Sequence, residues 1–132
     1  MNAADVLRFH NRNMIVFDLV LGSATILAPT ATLNALGHDP PSPGDGLELF
    51  RRCGPIWLTF AAAHAVADRR GTSEDWWALA WLRGTELGTD LLWSRSPAFR
   101  RRGARAGLWF AAASNLAMTV GFAWMARRAA AR

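Results

Sequence analysis

Three charged residues lie close together in the apolar stretch 75–93, whose sequence is DWWALAWLRGTELGTDLLW. Arg83, Glu86 and Asp90 are three and four residues apart, so a helix projects all three from one face. A neutral carboxylic acid beside a fixed carboxylate and a guanidinium is a competent acid–base set. Charges at membrane depth are costly, and by default they mark a functional site or an internal ion pair. The stretch therefore predicts a buried polar site and leaves its reaction or ligand open.

The elements that position this site are four apolar blocks, between which most of the arginines lie. At a helical rise of about 1.5 Å per residue each block reaches ~27–31 Å, close to the thickness of the hydrocarbon core of a bilayer. The fourth block, GLWFAAASNLAMTVGFAWMA, lacks the charged outer face that a helix of a soluble bundle needs. We predict an all-α fold, an integral membrane four-helix bundle in a single transmembrane domain over residues 1–132, with helices at about 9–28, 47–67, 75–94 and 106–126.

Breaker residues indicate how these helices begin and end. Pro29 should end the first helix near Ala28, and a short interfacial segment should follow it until Gly37. Gly54-Pro55 should kink the second helix, because Pro55 has no N–H to offer a carbonyl one turn earlier. Ser73 is the expected N-cap of the third helix.

Counting outward from each connecting turn predicts which charges meet in antiparallel helices. The count brings Asp18, Arg83, Glu86 and Asn115 into one central layer. Asp90 falls in a second layer with Arg51 or Arg52. Because an unpaired buried charge is strongly disfavoured, one interpretation is that Asp18–Arg83 and Asp90–Arg52 are structural ion pairs. Glu86 is then left without an evident partner.

Three functions fit such a layer. The first is an accessory or subunit-type membrane module that binds an apolar or amphipathic ligand; its predicted ligand-binding residues are Trp57, Trp81, Arg83, Glu86, Asn115 and Arg52. The alternative is an intramembrane acid–base enzyme (an isomerase, cyclase or hydratase) acting on a lipophilic substrate. In that enzyme Glu86 is the general acid, Asp18 or Asp90 the base or charge stabiliser, and Arg83 the electrostatic anchor. Ion or proton passage is less favoured, because the first and fourth helices carry no evident polar stripe.

Other residues disfavour several classes of site and partner. His10 and His64 fall at similar depth, but one His per helix is more often hydrogen-bonded than a haem or metal ligand. The Glu-x-x-His pattern of diiron bundles is absent, and the single Cys53 reads as a packing residue, so no metal or cofactor is predicted. A net charge of +5 accompanies no basic helix or stacking platform, so no nucleic acid is expected.

The expected partners are the lipid bilayer, other membrane subunits or a lipophilic small molecule, and the expected location is the cell membrane. Seven arginines flank the predicted helices on each side, so the positive-inside rule leaves the orientation open.

Two segments carry a resemblance to a known group of proteins. APTATLNALG closes the first helix and ELFRRCGPIW opens the second, in a chain of 132 residues. In this order of parts the chain resembles small bacterial four-helix membrane proteins of the DoxX-like kind. The resemblance implies a four-helix fold in the bacterial cytoplasmic membrane, and it assigns no activity. The pattern RGTEL-GTD of the third helix departs from it.

Overall fold

The computed structural model describes residues 2–38, 44–99 and 102–131, and these ranges consist of helices joined by short turns, with no strand among them. Six helices follow one another: α1 (Ala3–Leu27), α2 (Pro29–Ala35), α3 (Gly44–Arg51), α4 (Cys53–Arg70), α5 (Ser73–Ser94) and α6 (Arg102–Ala130). The predicted all-α class is therefore confirmed. Helices α1, α4, α5 and α6 correspond to the four apolar blocks.

The four long helices pack mainly as two pairs. Helix α1 lies along α4, α5 lies along α6, and a smaller contact between α4 and α5 joins the pairs. The first pair is close because two glycines face each other: a Cβ added to either Gly22 or Gly54 would lie 2.8 Å from the other's carbonyl oxygen. Small residues at a helix crossing allow this backbone approach.

The ends of α1 and α2 follow the breaker residues. Helix α1 begins earlier than predicted because Asn2 and Asp5 form a reciprocal capping box at its N-terminus. Pro29 starts α2 at the first helical position, where its missing N–H costs nothing. Gly37, with a φ of 82°, follows the end of α2 in the left-handed region, as predicted for the short segment after the first helix.

The predicted helix 47–67 is wrong as a single element. A turn at Arg52 divides it into α3 and α4. Pro55 cannot donate to the carbonyl of Arg51, and this missing hydrogen bond explains the break. The result is a short helix, α3, at the mouth of α4 in place of a kink inside one long helix.

The start of α5 also differs by one residue from the prediction. Thr72, not Ser73, is the N-cap: its hydroxyl accepts a hydrogen bond from the N–H of Asp75, whose carboxylate accepts one from the N–H of Thr72. Hydrogen bonds from the backbone and from the Thr72 hydroxyl lower the pKa of Glu74 in the same turn. Gly71, with a φ of 63°, ends α4 and makes the connection to α5 short.

Apolar packing is concentrated at the end of the molecule where α1 and α5 begin and α4 and α6 finish. This core is built on Trp76 and Leu79 of α5 and on Met118, Phe122 and Met125 of α6. One helix in the described ranges, the span Gly103–Ala130, is long and apolar enough to cross a membrane.

Candidate functional site

A buried ion pair joins α1 to α5. A terminal nitrogen (Nη2) of Arg83 donates a short hydrogen bond to Oδ2 of Asp18, and both side chains are almost completely shielded from solvent. Counting along the helices predicts this pair, and the structure places the two residues together. Unpaired, either charge would cost several kcal/mol, roughly 3–5. The pair therefore links the two helix pairs at one register, although α1 and α5 do not pack directly against each other.

His64 of α4 extends this pair to a third helix. Its Nε2 lies 3.0 Å from Nε and 2.6 Å from Nη2 of Arg83, and both of these nitrogens carry only donors. Nε2 must therefore be the acceptor, which places the proton of a neutral imidazole on Nδ1. Nδ1 lies 2.6 Å from Oδ1 of Asn11 and donates to it, and the amide nitrogen of Asn11 donates to the backbone carbonyl of His64 at 3.0 Å.

The four residues Asn11, Asp18, His64 and Arg83 form what we call the central polar cluster. Aromatic rings close it: the Arg83 guanidinium lies 5.5 Å from the centre of the Phe60 ring, and the His64 ring meets that of Phe122 edge-on at 5.7 Å. Asn11, Asp18 and His64 are all 0% exposed. Only Oδ1 of Asp18 lacks a hydrogen-bond partner among the cluster's buried side-chain atoms. The cluster is therefore a nearly saturated structural network.

A second group of polar residues lies further along α5. Glu86 is half-buried and accepts a hydrogen bond from the indole of Trp57 on α4. Asp90, one turn later, accepts one at 2.8 Å from the amide of Asn115 on α6. We call Trp57, Glu86, Asp90 and Asn115 the second polar cluster. Glu86 thus has a partner, contrary to the prediction that it has none.

In the structure Asp90 and Asn115 are hydrogen-bonded to each other, whereas counting along the helices assigned them to different layers. Arg51 instead pairs with Glu48 one turn earlier at 2.7 Å, and Arg52 is exposed at the junction of α3 and α4. The count fails because α6 begins further out than α5 ends: Asn115 lies thirteen residues into α6, but Asp90 lies only four residues before the end of α5. The offset of nine residues is about 13 Å at helical rise.

Trp81 is not an interior residue. Its side chain is 75% exposed, because it lies two positions from Arg83 and so points to the opposite side of α5. Of the two tryptophans predicted to line a pocket, only Trp57 faces a neighbouring helix, packing edge-on against Phe50 at 5.9 Å. Trp81 therefore belongs to the outer surface.

Of the two histidines considered as haem or metal ligands, His64 belongs to the central polar cluster. Both ring nitrogens of His64 are engaged by Asn11 and Arg83. The residues that the structure describes contain no group of three or more His, Cys, Asp and Glu side chains placed to hold a metal ion.

Sequence reasoning missed Asn11 and the role of His64. Asn11 precedes Asp18 by seven residues, a spacing that puts both on one face of a helix. A lone His on an apolar helix is often a hydrogen-bonded core residue, and a guanidinium on the next helix is a suitable donor. For Asn11 the available signal was its spacing of seven residues from Asp18. For His64 the available signal was that the long side chain of Arg83 can reach it from the next helix.

Thr25 provides a stability test on the same face of α1. Its side chain is 0% exposed, and its hydroxyl has no hydrogen-bond partner among the residues that the structure describes, so the shape-preserving Thr25→Val should raise the free energy of unfolding by about 1–2 kcal/mol. Thr32→Val is the matched control, because the Thr32 hydroxyl donates to the carbonyl of Ala28 at 2.9 Å. Denaturant titration of the two variants checks the sign. If Thr25→Val lost as much stability as Thr32→Val, the Thr25 hydroxyl would not be the unpaired buried group that we infer.

Comparison of the chain with known protein families, curated proteins and solved structures finds no match.

Proposed function

We propose that the chain is a small multi-pass membrane module of accessory or subunit type, which holds an amphipathic ligand between its helices. In this proposal α1, α4, α5 and α6 form a four-helix bundle in the bacterial cytoplasmic membrane. The resemblance to DoxX-like proteins supports the same architecture. The observation that carries the proposal is the polarity of α1, which is reversed relative to a helix of a water-soluble protein.

The buried face of α1 is polar and its exposed face is apolar. Its buried residues are Asn11, Asp18, Gly22 and Thr25, with no large apolar side chain among them. The exposed face carries Phe9, Val20 and Leu27, which are 61%, 63% and 82% exposed. In water this arrangement would leave an apolar stripe solvated and would bury the polar residues. In a bilayer it is favourable, because polar side chains turn inward and apolar ones meet lipid.

The other long helices follow the same rule. On α5, Arg83 is 2% exposed while Leu92 is 70% exposed, and on α6 Phe110 and Val120 are 77% and 63% exposed. In the most apolar window of α6 only 22% of residues are buried inside the protein, which is low for the core helix of a soluble fold. A surface this apolar is suited to lipid or to other membrane subunits.

Charged residues in α1 and α5 explain why hydropathy alone identifies only α6, among the described helices, as a candidate membrane span. Arg83, Glu86 and Asp90 lower the hydropathy of α5, yet Arg83 and Asp90 are buried and Glu86 is half-buried. Asp18 has the same effect on α1. Inward charges that are paired or hydrogen-bonded are compatible with a membrane helix, provided that the outward face is apolar.

The acid–base enzyme remains a second candidate, now confined to the second polar cluster. Asp18 and Arg83 are committed to each other and to His64, so they are unsuited to the catalytic roles that the sequence suggested. Glu86 and Asp90 are one turn apart, and each has a single neutral hydrogen-bond donor, Trp57 and Asn115. Two carboxyl groups with neutral partners can exchange a proton with a substrate more readily than a saturated ion pair.

Single-cysteine labelling tests the membrane proposal. Arg69→Cys, at the end of α4, and Arg95→Cys, at the end of α5, introduce exposed thiols at opposite ends of the bundle in a Cys53→Ser background. If α5 crosses the membrane, an impermeant maleimide should label only one of them in intact cells and both after permeabilisation. The chain should also stay with the membranes after alkaline extraction.

Two outcomes would contradict the proposal. Equal labelling of Arg69→Cys and Arg95→Cys in intact cells would place both ends of α5 on one side. Migration of the chain extracted in mild detergent as a lone monomer would speak against the accessory role, because a subunit-type module should run with a larger complex.

A further inference from the structure

A small cavity of about 150 Å³ lies at the end of the molecule that holds the apolar core. It is bounded by the first two turns of α1, by the turn between α4 and α5, by the start of α5 and by the last turns of α6. The volume is below the range of about 300–1,000 Å³ that is usual for pockets of drug-sized ligands, so a small group fits it best. The cavity has four polar side chains in its lining, those of Asn2, Asp5, Arg8 and Arg128.

Arg8 presents unused hydrogen-bond donors to this cavity. Its guanidinium carbon lies 5.8 Å from the centre of the Trp76 ring, so a cation–π contact holds the group in place. Arg8 follows Asp5 by three residues, yet it forms no ion pair with a carboxylate of the residues that the structure describes. The Asp5 carboxylate instead accepts a hydrogen bond from the backbone N–H of Asn2 at 3.1 Å. The guanidinium of Arg8 is therefore positioned and still able to bind an anion.

A second donor lies beside Arg8 at Gly71. A Cβ added to Gly71 would lie 3.3 Å from Nη2 of Arg8 and 3.8 Å from the indole nitrogen (Nε1) of Trp76. The third atom near this point is the carbonyl oxygen of Ala67 at 3.7 Å, which accepts no hydrogen bond from either nitrogen. Neither nitrogen is among the polar atoms of the described chain that are sealed from solvent without a partner. Because Gly71 has no side chain, an acceptor group in the cavity can reach both donors.

We propose that this cavity binds a phosphate group, as inorganic phosphate or as the phosphomonoester headgroup of a lipid, through Arg8, Arg128 and the indole N–H of Trp76. A guanidinium fork matches a pair of phosphate oxygens. A phosphomonoester has three strong acceptor oxygens, enough for all three donors, whereas a carboxylate has two. Two arginines against the single carboxylate of Asp5 give the lining an excess of positive charge.

The position of the cavity in the proposed bundle favours the lipid as the source of the phosphate. It lies where α1 and α5 begin and where α4 and α6 end, at the level of a membrane–water interface. Anionic headgroups lie at this level and attract arginine. Arg128 lies 5.3 Å from the centre of the half-exposed Trp124 ring, and exposed tryptophan is typical of an interface. The inference rests on the proposed membrane function only for the lipid source, because free phosphate could bind without a bilayer.

Isothermal titration calorimetry of the purified protein in an uncharged detergent tests the inference. The probes are sodium phosphate, sodium acetate and dihexanoylphosphatidic acid, each titrated to millimolar concentration. Phosphate should bind more tightly than acetate, because acetate offers fewer acceptor oxygens. Tighter binding of the phosphatidic acid than of inorganic phosphate would identify a lipid headgroup, and equal affinities would identify free phosphate.

Four variants separate binding in the cavity from general attraction to a basic protein. Arg8→Gln should weaken phosphate binding by roughly 10-fold or more, the value of a hydrogen bond from a charged donor. Trp76→Phe keeps an aromatic ring and loses only the N–H, so we expect a loss of roughly 3- to 10-fold. Arg128→Gln is an exposed substitution that should weaken binding without endangering the fold. Arg127→Gln, its exposed neighbour outside the cavity, is the matched control and should leave the affinity unchanged.

Three results would overturn the inference: no binding of phosphate or phosphatidic acid, equal affinity for phosphate and acetate, or equal weakening in Arg127→Gln and Arg128→Gln. Phosphate binding is measured on the purified protein and does not depend on membrane crossing. A chain that crosses the membrane without binding phosphate would therefore leave the membrane proposal standing. A chain that binds phosphate but fails the crossing test would leave the phosphate site standing.

Discussion

Replacing Arg83 by methionine should lower the free energy of unfolding by about 3–5 kcal/mol, the usual cost of leaving a buried charge without its partner. The substitution keeps a long side chain but removes every donor that Asp18 and Nε2 of His64 share. We expect the loss in a denaturant titration of purified protein and as reduced abundance in cells.

Arg12→Met is the matched control for this loss. Arg12 pairs with Asp68 at 3.0 Å, but its side chain is 64% exposed, and an exposed pair contributes only about 0–1 kcal/mol. The double variant Asp18→Leu with Arg83→Met should be more stable than Arg83→Met alone, because it removes both charges. Equal stability of Arg83→Met and Arg12→Met would show that the pair does not hold α1 to α5.

Gly54→Ala should destabilise the protein by about 1–3 kcal/mol, through overpacking at the crossing of α1 and α4. The new methyl group would lie 2.8 Å from the carbonyl oxygen of Gly22 and would also clash with the Ile26 side chain. A backbone oxygen cannot rotate away, so the two helices must separate. The same denaturant titration measures the effect.

Gly88→Ala, which also lies in a long helix, should change stability in the opposite direction to Gly54→Ala. Gly88 lies inside α5, and a Cβ there would meet no atom within 4 Å. Alanine at such a position should raise stability by roughly 0.5–1 kcal/mol, since glycine costs a helix that much. A similar loss of stability in Gly54→Ala and Gly88→Ala would mean that the Gly22–Gly54 contact is not what disfavours a side chain at position 54.

The helical class was accessible from local periodicity, and the Asp18–Arg83 pair was accessible by counting outward from the connecting turns. Apolar blocks of helical length give the long helices, and the short turn at Gly71 makes the count between α4 and α5 accurate. Arg83 accordingly lies level with Phe60, whose ring its guanidinium covers at 5.5 Å. Membrane crossing by these helices stays a prediction.

The residues that sequence reasoning misplaced depend on loop geometry and on side-chain direction. Asn115 was placed too deep because α6 begins about 13 Å beyond the end of α5, an offset that composition does not encode. His64 was grouped by depth with His10 and not with Arg83, but a side chain on a helix points toward the helix N-terminus. That direction lets Arg83 reach back along α5 to His64. Trp81 was misplaced although its spacing of two residues from Arg83 was an available signal that it faces the opposite side of α5.

The Asp18–Arg83 contact has a consequence for the timing of synthesis. Asp18 leaves the ribosome 65 residues before Arg83, an interval of roughly 3–13 s at ordinary translation rates. Throughout that interval Asp18 lacks Arg83, while α4, with Gly54 and His64, becomes available in the later part of it. The first pair of helices can therefore assemble early, but it stays electrostatically incomplete until α5 arrives. A nascent chain stalled before residue 83 would be a substrate for quality control, whatever the strength of its other contacts.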